Sequence, residues 1–559
     1  MCPCGSGRKF KHCHNNPRFE LPFLIQQARL DKQIHEEATR LLEAKKAEEI
    51  QRQKQQGFGR PIISVVHQGY RFVAIGSRLY YSPKWKTFTD FLGDYIKLTF
   101  GGEWGNAELK KPFEKRHPLI QWYHHVCLLQ RKYQSAPGEI FSAPVTGAVS
   151  AYYGLAYHLY LIAHNVHDIQ TRLIERLKNP SNFQGAFYET RVAAELVKAG
   201  FELAYEDEAD ISVSHCEFTA TFTRTKKSYS VEAKSRLAVF EAATGRALRV
   251  GRQLYGALQK TAHHDRLVFI DINRPAGTTK EEVGKLMDHA VKVVKRSEGM
   301  TISGKPAPPA YVLLTNYPDQ YSLDELQPLS VVAFLGFKIP DYGEGVVFTS
   351  LRDAVRARER HIEIFELKKS MAEHGVLPST FDGQMPSVAF GSSQTPRLVI
   401  GQRYLVPDAS GRDVTAVLTD AIVNEEKREA VGVYRLDTGQ SIIATCPLTS
   451  EEVEDYRHFP DTFFGVYRKK GQKIEDPIDL FDFFYNAYKD TPRERLLEFV
   501  RDAPNFAELE QLSQKDLAEV VCERWSYAAM QSTSGPAQHR STILGIEAKS
   551  VGGSEGSPH

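Results

Sequence analysis

Two groups of residues have the types and spacing to do chemistry. The chain opens Met-Cys-Pro-Cys-Gly-Ser-Gly-Arg-Lys-Phe-Lys-His-Cys-His, which brings Cys2, Cys4, Cys13 and His14 into one short stretch. These are four soft ligands, the number and kind that structural tetrahedral zinc takes. Gly5 and Gly7 let the chain turn back so that the two pairs meet around one ion. So short a segment buries no core, and the metal would supply its folding energy. All four positions are filled, which argues for structural Zn²⁺ and against a catalytic one. The second group lies in Gly185 to Gln259. Glu189 stands near the start of an amphipathic helix in which Phe187, Val192, Leu196 and Val197 recur at helical spacing. Asp210 follows a strand, FELAY. Next, CEFTATFTRTKKSYSVEAKSR reads as a hairpin with Tyr229, Val231 and Ala233 on one face and Glu232 and Lys234 on the other. Hard oxygens from Asp210 and Glu232 suit Mg²⁺, with Mn²⁺ as the alternative, an ion that keeps several waters and reaches for phosphate. Such an ion acidifies a bound water and offsets charge on a phosphate, which suits phosphodiester cleavage. Lys234 would orient the hydroxide or offset phosphate charge, and Glu189 would complete a second-metal or water contact.

The first group resembles the SEC-C motif, the zinc-binding tail known from the preprotein-translocase ATPase. Pro3, Gly-Ser-Gly, Lys9, Phe10, Lys11 and the Cys-His pair all match. The resemblance implies a docking knob for a protein partner, although Arg8, Lys9 and Lys11 could equally touch nucleic acid. The order of the second group, Glu on a helix, then Asp, then Glu-x-Lys on a strand, resembles the PD-(D/E)xK nucleases of restriction-endonuclease-like fold. The resemblance covers about 170 residues, well under half of the chain. It implies a metal site of Glu189, Asp210, Glu232 and Lys234, and a Gln on the following helix that maps onto Gln253, with Gln259 a weaker match. Ala209 stands where the family often has Pro. The family commonly dimerises, which implies a homodimer.

Glu-x-Lys alone carries nothing, since it recurs at Glu43, Glu108, Glu366, Glu425 and Glu547. The combined order and the apolar strand RLVFIDIN that follows single out Glu232. The plainer reading is a solvated ion pair on a strand, of little energetic consequence. A nuclease fold kept only for binding lies between the two. Arg224, Lys226, Lys227, Arg236, Arg246, Arg249 and Arg252 crowd near Glu232 and could draw in a phosphate backbone. For Lys226 and Lys227 a solvated hairpin tip explains the charge as well.

The elements needed to position these groups predict a multidomain α/β protein. Its centre is a restriction-endonuclease-like mixed sheet flanked by helices, with an N-terminal zinc knuckle and a C-terminal small β-barrel plus helices. The boundaries read as a zinc motif (1–18), a charged helical linker (19–57), a mixed module (58–147), the nuclease-like domain (148–350), a helix and linker (351–395), the barrel (396–470), a helical region (471–531) and a disordered tail (532–559). RLVFIDIN and AYVLLTNY are short, continuous and apolar, like strands buried on both faces. His158, His164 and His167 sit in a long aromatic helix, where packed histidines explain them better than a metal. His263 and His264 read as surface residues, and Cys127, Cys216, Cys446 and Cys522 as small buried hydrophobes.

With 71 Lys+Arg against 69 Asp+Glu, the net charge of +2 excludes a basic coat, so nucleic-acid binding needs a local patch. No apolar run is long enough to span a bilayer and no secretory signal is visible. The expectation is a cytoplasmic Mg²⁺-dependent endonuclease that cuts DNA, with a role in antiviral defence against foreign DNA by analogy alone. An RNase, or a non-catalytic adaptor that binds a protein through the zinc motif, stays open.

Overall fold

The structure, a computed structural model, describes residue 9 and residues 17–533 apart from 137, 167–170, 206–215, 236–248, 275–278, 327, 344–345, 392–396, 409 and 469–475. The zinc-motif cysteines, His14, Asp210, Arg236 and Arg246 lie outside the described residues. The chain divides into two compact units, Met1–Lys54 with Gly383–Gly471, and Gln55–Asp382 with Gln472–His559.

The charged linker reads correctly as helix, α1 (Pro17–Gln56). It ends at Gly57, whose φ of +74° favours glycine. In the larger unit, β1 (Ile63–His67), β2 (Tyr70–Ile75) and β3 (Arg78–Ser82) form an antiparallel meander. Five helices follow: α2 (Phe88–Phe100), α3 (Gly102–Leu109), α4 (Pro118–Tyr133), α5 (Gly147–Asn165) and α6 (Thr171–Lys178). Helix α2 starts in a capping box between Thr87 and Asp90. Its Phe88, Phe91, Leu92, Tyr95 and Ile96 recur at i, i+3, i+4, i+7 and i+8, which buries one face. Helix α5 is apolar around most of its girth and almost wholly buried. His158 and His164 are packed within it, and His164 Nε2 lies 2.9 Å from the Pro61 carbonyl oxygen. His167 lies outside the described residues.

Helix α7 (Phe183–Lys198) leads through Gly200, φ +87°, into the central sheet. That sheet comprises β4 (Phe201–Tyr205), β5 (Phe218–Phe222), β6 (Ser228–Ser235), β7 (Asp265–Asp271), β10 (Ala310–Asn316) and β11 (Val331–Phe337). Between these strands run α8 (Val250–Leu258), α9 (Lys280–Arg296) and a small hairpin, β8 (Thr301–Ile302) with β9 (Lys305–Pro306). The strand order is β11-β10-β7-β6-β5-β4; β6, β7 and β10 run parallel, and the outer pairings are antiparallel. The two continuous apolar runs are β7 and β10, adjacent in the middle of the sheet. Both of their faces are covered, as their composition requires. Tyr188, Val192 and Leu196 of α7 pack on one face against Phe218, Val231 and Phe269. Val250 and Leu254 of α8 and Met287 and Val291 of α9 pack on the other against Val268, Ile270 and Val312.

The stretch expected as one charged helix after residue 350 is two, α10 (Leu351–Arg360) and α11 (Ile362–Glu373). The break falls at His361, a buried residue whose Nδ1 meets the Tyr311 hydroxyl at 2.7 Å. A tertiary hydrogen bond thus overrides a helical pattern. The C-terminal helices α14 (Pro477–Tyr488), α15 (Arg493–Val500), α16 (Phe506–Leu509) and α17 (Gln514–Thr533) follow. Arg358 holds Asp482 through two 2.7 Å bonds.

In the smaller unit, α12 (Pro386–Phe390) precedes β12 (Arg403–Pro407), β13 (Asp413–Asn424), β14 (Glu429–Arg435) and β15 (Ser441–Pro447), and α13 (Ser450–His458) follows them. These strands form a four-stranded meander in which, among the described residues, β12 and β15 do not pair. The sheet is therefore open where the alternation predicts a closed barrel. Helix α13 and Phe463 cover its inner face, so the edges need not meet.

Candidate functional site

The site grows from the β5–β6 hairpin. Phe218 pairs with Val231 and Thr221 with Ser228. Glu217 lies just before β5, and its N–H donates to the carbonyl of Val231, the residue opposite Phe218, at 3.0 Å. On β6, Tyr229, Val231 and Ala233 face the α7 side of the sheet, as expected from alternation. Glu232 and Lys234 take the other side, and Lys234 Nζ closes on Glu232 Oε1.

Glu232 is only 1% exposed. Lys260, just beyond α8, lies 3.0 Å from Glu232 Oε1 and donates at 3.3 Å to Glu217 Oε1. One ammonium thus bridges two carboxylates, where like charges alone would repel. Lys234 and Lys260 both close on Glu232 Oε1. Burial raises the Glu232 pKa most and Glu217 adds to that, while Lys234 and Lys260 pull it back. Burial lowers the Lys260 pKa, but Glu232 and Glu217 outweigh it and hold the ammonium charged. Cys216, also buried beside Glu232, is pushed up to about 11.

Glu189 arrives from α7, buried and ion-paired to Arg176 at 2.8 Å. The Tyr205 hydroxyl, at the end of β4, is pushed far up by burial and then by the charges of Glu189 and Glu217. Gln253 lies half-buried on α8, while Lys260 lies beyond the end of that helix. Gln259 is exposed at the helix end.

Among the expected phosphate contacts, Arg249 caps α8 and Arg252 is exposed on it. Arg224 is already engaged: it pairs with Glu366 at 2.8 Å and stacks 5.2 Å over the Phe222 ring. His263 and His264 are exposed as expected.

Three participants escape reading by motif: Glu217, Lys260 and Arg176. Glu217 lies just before β5 and Lys260 just after α8, outside the periodic stretches from which a face can be read. No sequence signal marks Arg176 as the partner of Glu189.

A second buried polar group sits at the carboxyl ends of the parallel strands. The Asp271 carboxylate accepts from the Ser235 hydroxyl at 3.1 Å, the Asn273 N–H at 3.2 Å and the Thr315 hydroxyl at 3.4 Å. Burial pushes its pKa up to about 7 against the pull of those bonds. Gln184, from the start of α7, donates to Ser235 at 3.2 Å and ties that helix to the end of β6.

Among the described residues, no group of three or more His, Cys, Asp or Glu side chains is arranged to hold a metal. No helix of the described residues is long and apolar enough to cross a membrane. A family model, the SEC-C motif, matches residues 1–16. No curated protein and no solved structure matches the chain.

Proposed function

We propose that the larger unit is a Mg²⁺-dependent endonuclease acting on DNA, with Glu232 and Lys234 at its centre. The observation that carries this reading is the buried Glu232 carboxylate, which shares the Lys260 ammonium with Glu217. Two hard-oxygen donors gathered around one positive charge fit a divalent cation at the same place. Glu232 would hold Mg²⁺, with Glu217 beside it and Asp210 as the expected further ligand. When bound, that ion acidifies a water and neutralises charge on the scissile phosphate. Lys234, paired to Glu232 and partly exposed, would orient the attacking water and meet the phosphate oxygens. Glu189, fixed by Arg176, would accept a hydrogen bond from that water. The sequence of α7, β4, β5, β6, α8 and β7 supports the restriction-endonuclease-like reading, since it carries helix Glu, hairpin Glu-x-Lys and following helix in the family's order. The SEC-C match supports a zinc-held N-terminal knob that docks a protein partner.

The lysines that already hold the Glu232 carboxylate favour a second reading, a non-catalytic adaptor with a vestigial nuclease fold. Plasmid DNA incubated with the full chain and Mg²⁺ separates the two. Cleavage that disappears in Glu232→Gln and in Lys234→Met supports the enzyme. No cleavage of plasmid, linear DNA or RNA by the wild-type protein supports the adaptor, and cleavage of RNA alone makes the enzyme an RNase.

A further inference from the structure

The end of β6 that carries Glu232 and Lys234 overhangs its neighbour. The pairing of β5 with β6 runs from Phe218 opposite Val231 to Thr221 opposite Ser228, so among the described residues 232–235 have no ladder partner on that side. On the other side they pair with β7, Glu232 opposite Val268 and Ser235 opposite Asp271. The residues proposed to do the chemistry are therefore held along one edge only. A strand end of that kind opens more readily than one paired on both sides.

Side chains on the α7 face supply what the ladder lacks. The Ser235 hydroxyl donates to Asp271 Oδ2 at 3.1 Å and accepts from Gln184 Nε2 at 3.2 Å. Asp271 is itself fixed, since its Oδ1 accepts from the Asn273 N–H at 3.2 Å and from Thr315 Oγ1 at 3.4 Å. The Tyr188 hydroxyl closes the network 2.8 Å from Thr315 Oγ1. Gln184, Tyr188, Asp271 and Thr315 are all buried. Gln184 and Tyr188 lie one turn apart on α7, a helix whose Tyr188, Val192 and Leu196 pack into the sheet, so the anchor does not move with the strand end. Ser235 directly follows Lys234, and successive side chains leave a strand on opposite faces. A tether on one face thus fixes the backbone from which Lys234 leaves on the other.

We propose that Ser235, held by Gln184 and Asp271, is a positioning residue that fixes Lys234 and Glu232 for the reaction. The effect on catalysis rests on the nuclease reading, whereas the tether itself does not. The test compares the full chain with Ser235→Ala and Ser235→Thr in two assays. Plasmid cleavage with Mg²⁺ reads catalysis, and hydrogen exchange followed by mass spectrometry reads the opening of residues 232–235 without any reaction. Ser235→Ala is expected to lower kcat about tenfold to a hundredfold, the order that a displacement of ~1 Å costs. KM should change by about twofold at most, because the tether touches no substrate group. Exchange at 232–235 should rise about tenfold while β7 stays protected. Ser235→Thr keeps the hydroxyl and should restore kcat and protection together. Gln184→Met removes one arm of the tether from outside the sheet and shifts both readouts the same way, which serves if Ser235→Ala unfolds as a whole. Unchanged exchange at 232–235 in both Ser235→Ala and Gln184→Met would overturn the tether. An unchanged kcat, or a fall that Ser235→Thr fails to reverse, would overturn the positioning role. A wild-type chain that cleaves no nucleic acid would sink the nuclease reading and that role with it, and the exchange comparison would still decide the tether.

Discussion

Replacing Lys260 by Met tests whether the bridge between Glu217 and Glu232 stands where a cation belongs. The ammonium lies 3.0 Å from Glu232 and 3.3 Å from Glu217. At an effective dielectric of about 20, each contact is a gross attraction of roughly 5 kcal/mol, most of it cancelled by desolvation. Removing one partner of a buried pair costs about 3–5 kcal/mol. Lys234 stays beside Glu232 and Lys260 is itself partly exposed, so about 3 kcal/mol is expected at pH 8. The Glu232 pKa is already raised in the folded protein. A raised carboxyl favours folding at pH below its unfolded value and loses that contribution as pH rises through the folded value. Without Lys260 the rise is larger, so the variant's deficit must grow from pH 5 to pH 8. Thermal unfolding should show a drop of about 6–12 °C at pH 8, at ~2–4 °C per kcal/mol. Mg²⁺ at about 100 times its dissociation constant should return about 2.7 kcal/mol to the variant, and less to the wild type, where it must displace the ammonium. A deficit equal at pH 5 and pH 8, or a variant indifferent to Mg²⁺, refutes the reasoning.

Three other outcomes follow from single observations. The Asp271 carboxyl, held up to about 7, withdraws stability as pH rises from 4 toward 7. Asp271→Asn should flatten that slope and be more stable at pH 8, by up to about 4 kcal/mol from urea midpoints. A wild-type midpoint constant from pH 5 to pH 8 contradicts this. At Gly147 an added Cβ would sit 2.6 Å from the Asp319 carbonyl oxygen and closer still to that of Ser322. Gly147→Ala should therefore cost about 1–3 kcal/mol, and an unchanged unfolding temperature would show that the turn yields freely. For the N-terminal motif, the purified chain should carry about one zinc, absent from a Cys2→Ser, Cys4→Ser double variant. Equal zinc in both proteins by elemental analysis places the metal elsewhere.

The reach of the sequence can be seen residue by residue. Strands β5, β6, β7 and β10 were legible because alternation and apolar runs are local consequences of how many faces are buried. Glu232 and Lys234 were legible for the same reason, since period two fixes their side of the sheet before any partner is known. His361 was not, because the break between α10 and α11 depends on Tyr311, fifty residues away in sequence, whose hydroxyl meets its ring. The barrel expected from residue 396 was half right: each strand is local, but closure is a relation between β12 and β15. Short-range pattern does not state that relation.

Lys260 shows where reading by motif stops. A motif names residues that a family shares, so it points to Glu189, Asp210, Glu232, Lys234 and a helix Gln and is silent on everything else. Electrostatics imposes a further demand. Two carboxylates held side by side need a positive charge between them whether or not a metal is present. The residue just before β5 supplies Glu217, and α8 ends so that the next residues carry Lys260 to both acids. The protein thus folds with a built-in cation at the place where the proposed metal would bind. Binding of that metal would then be an exchange of charges rather than an addition to an empty carboxylate pair. On this view affinity for Mg²⁺ should be weak in the wild type and should rise when Lys260 is neutralised, a direction that a simple open metal site would not produce.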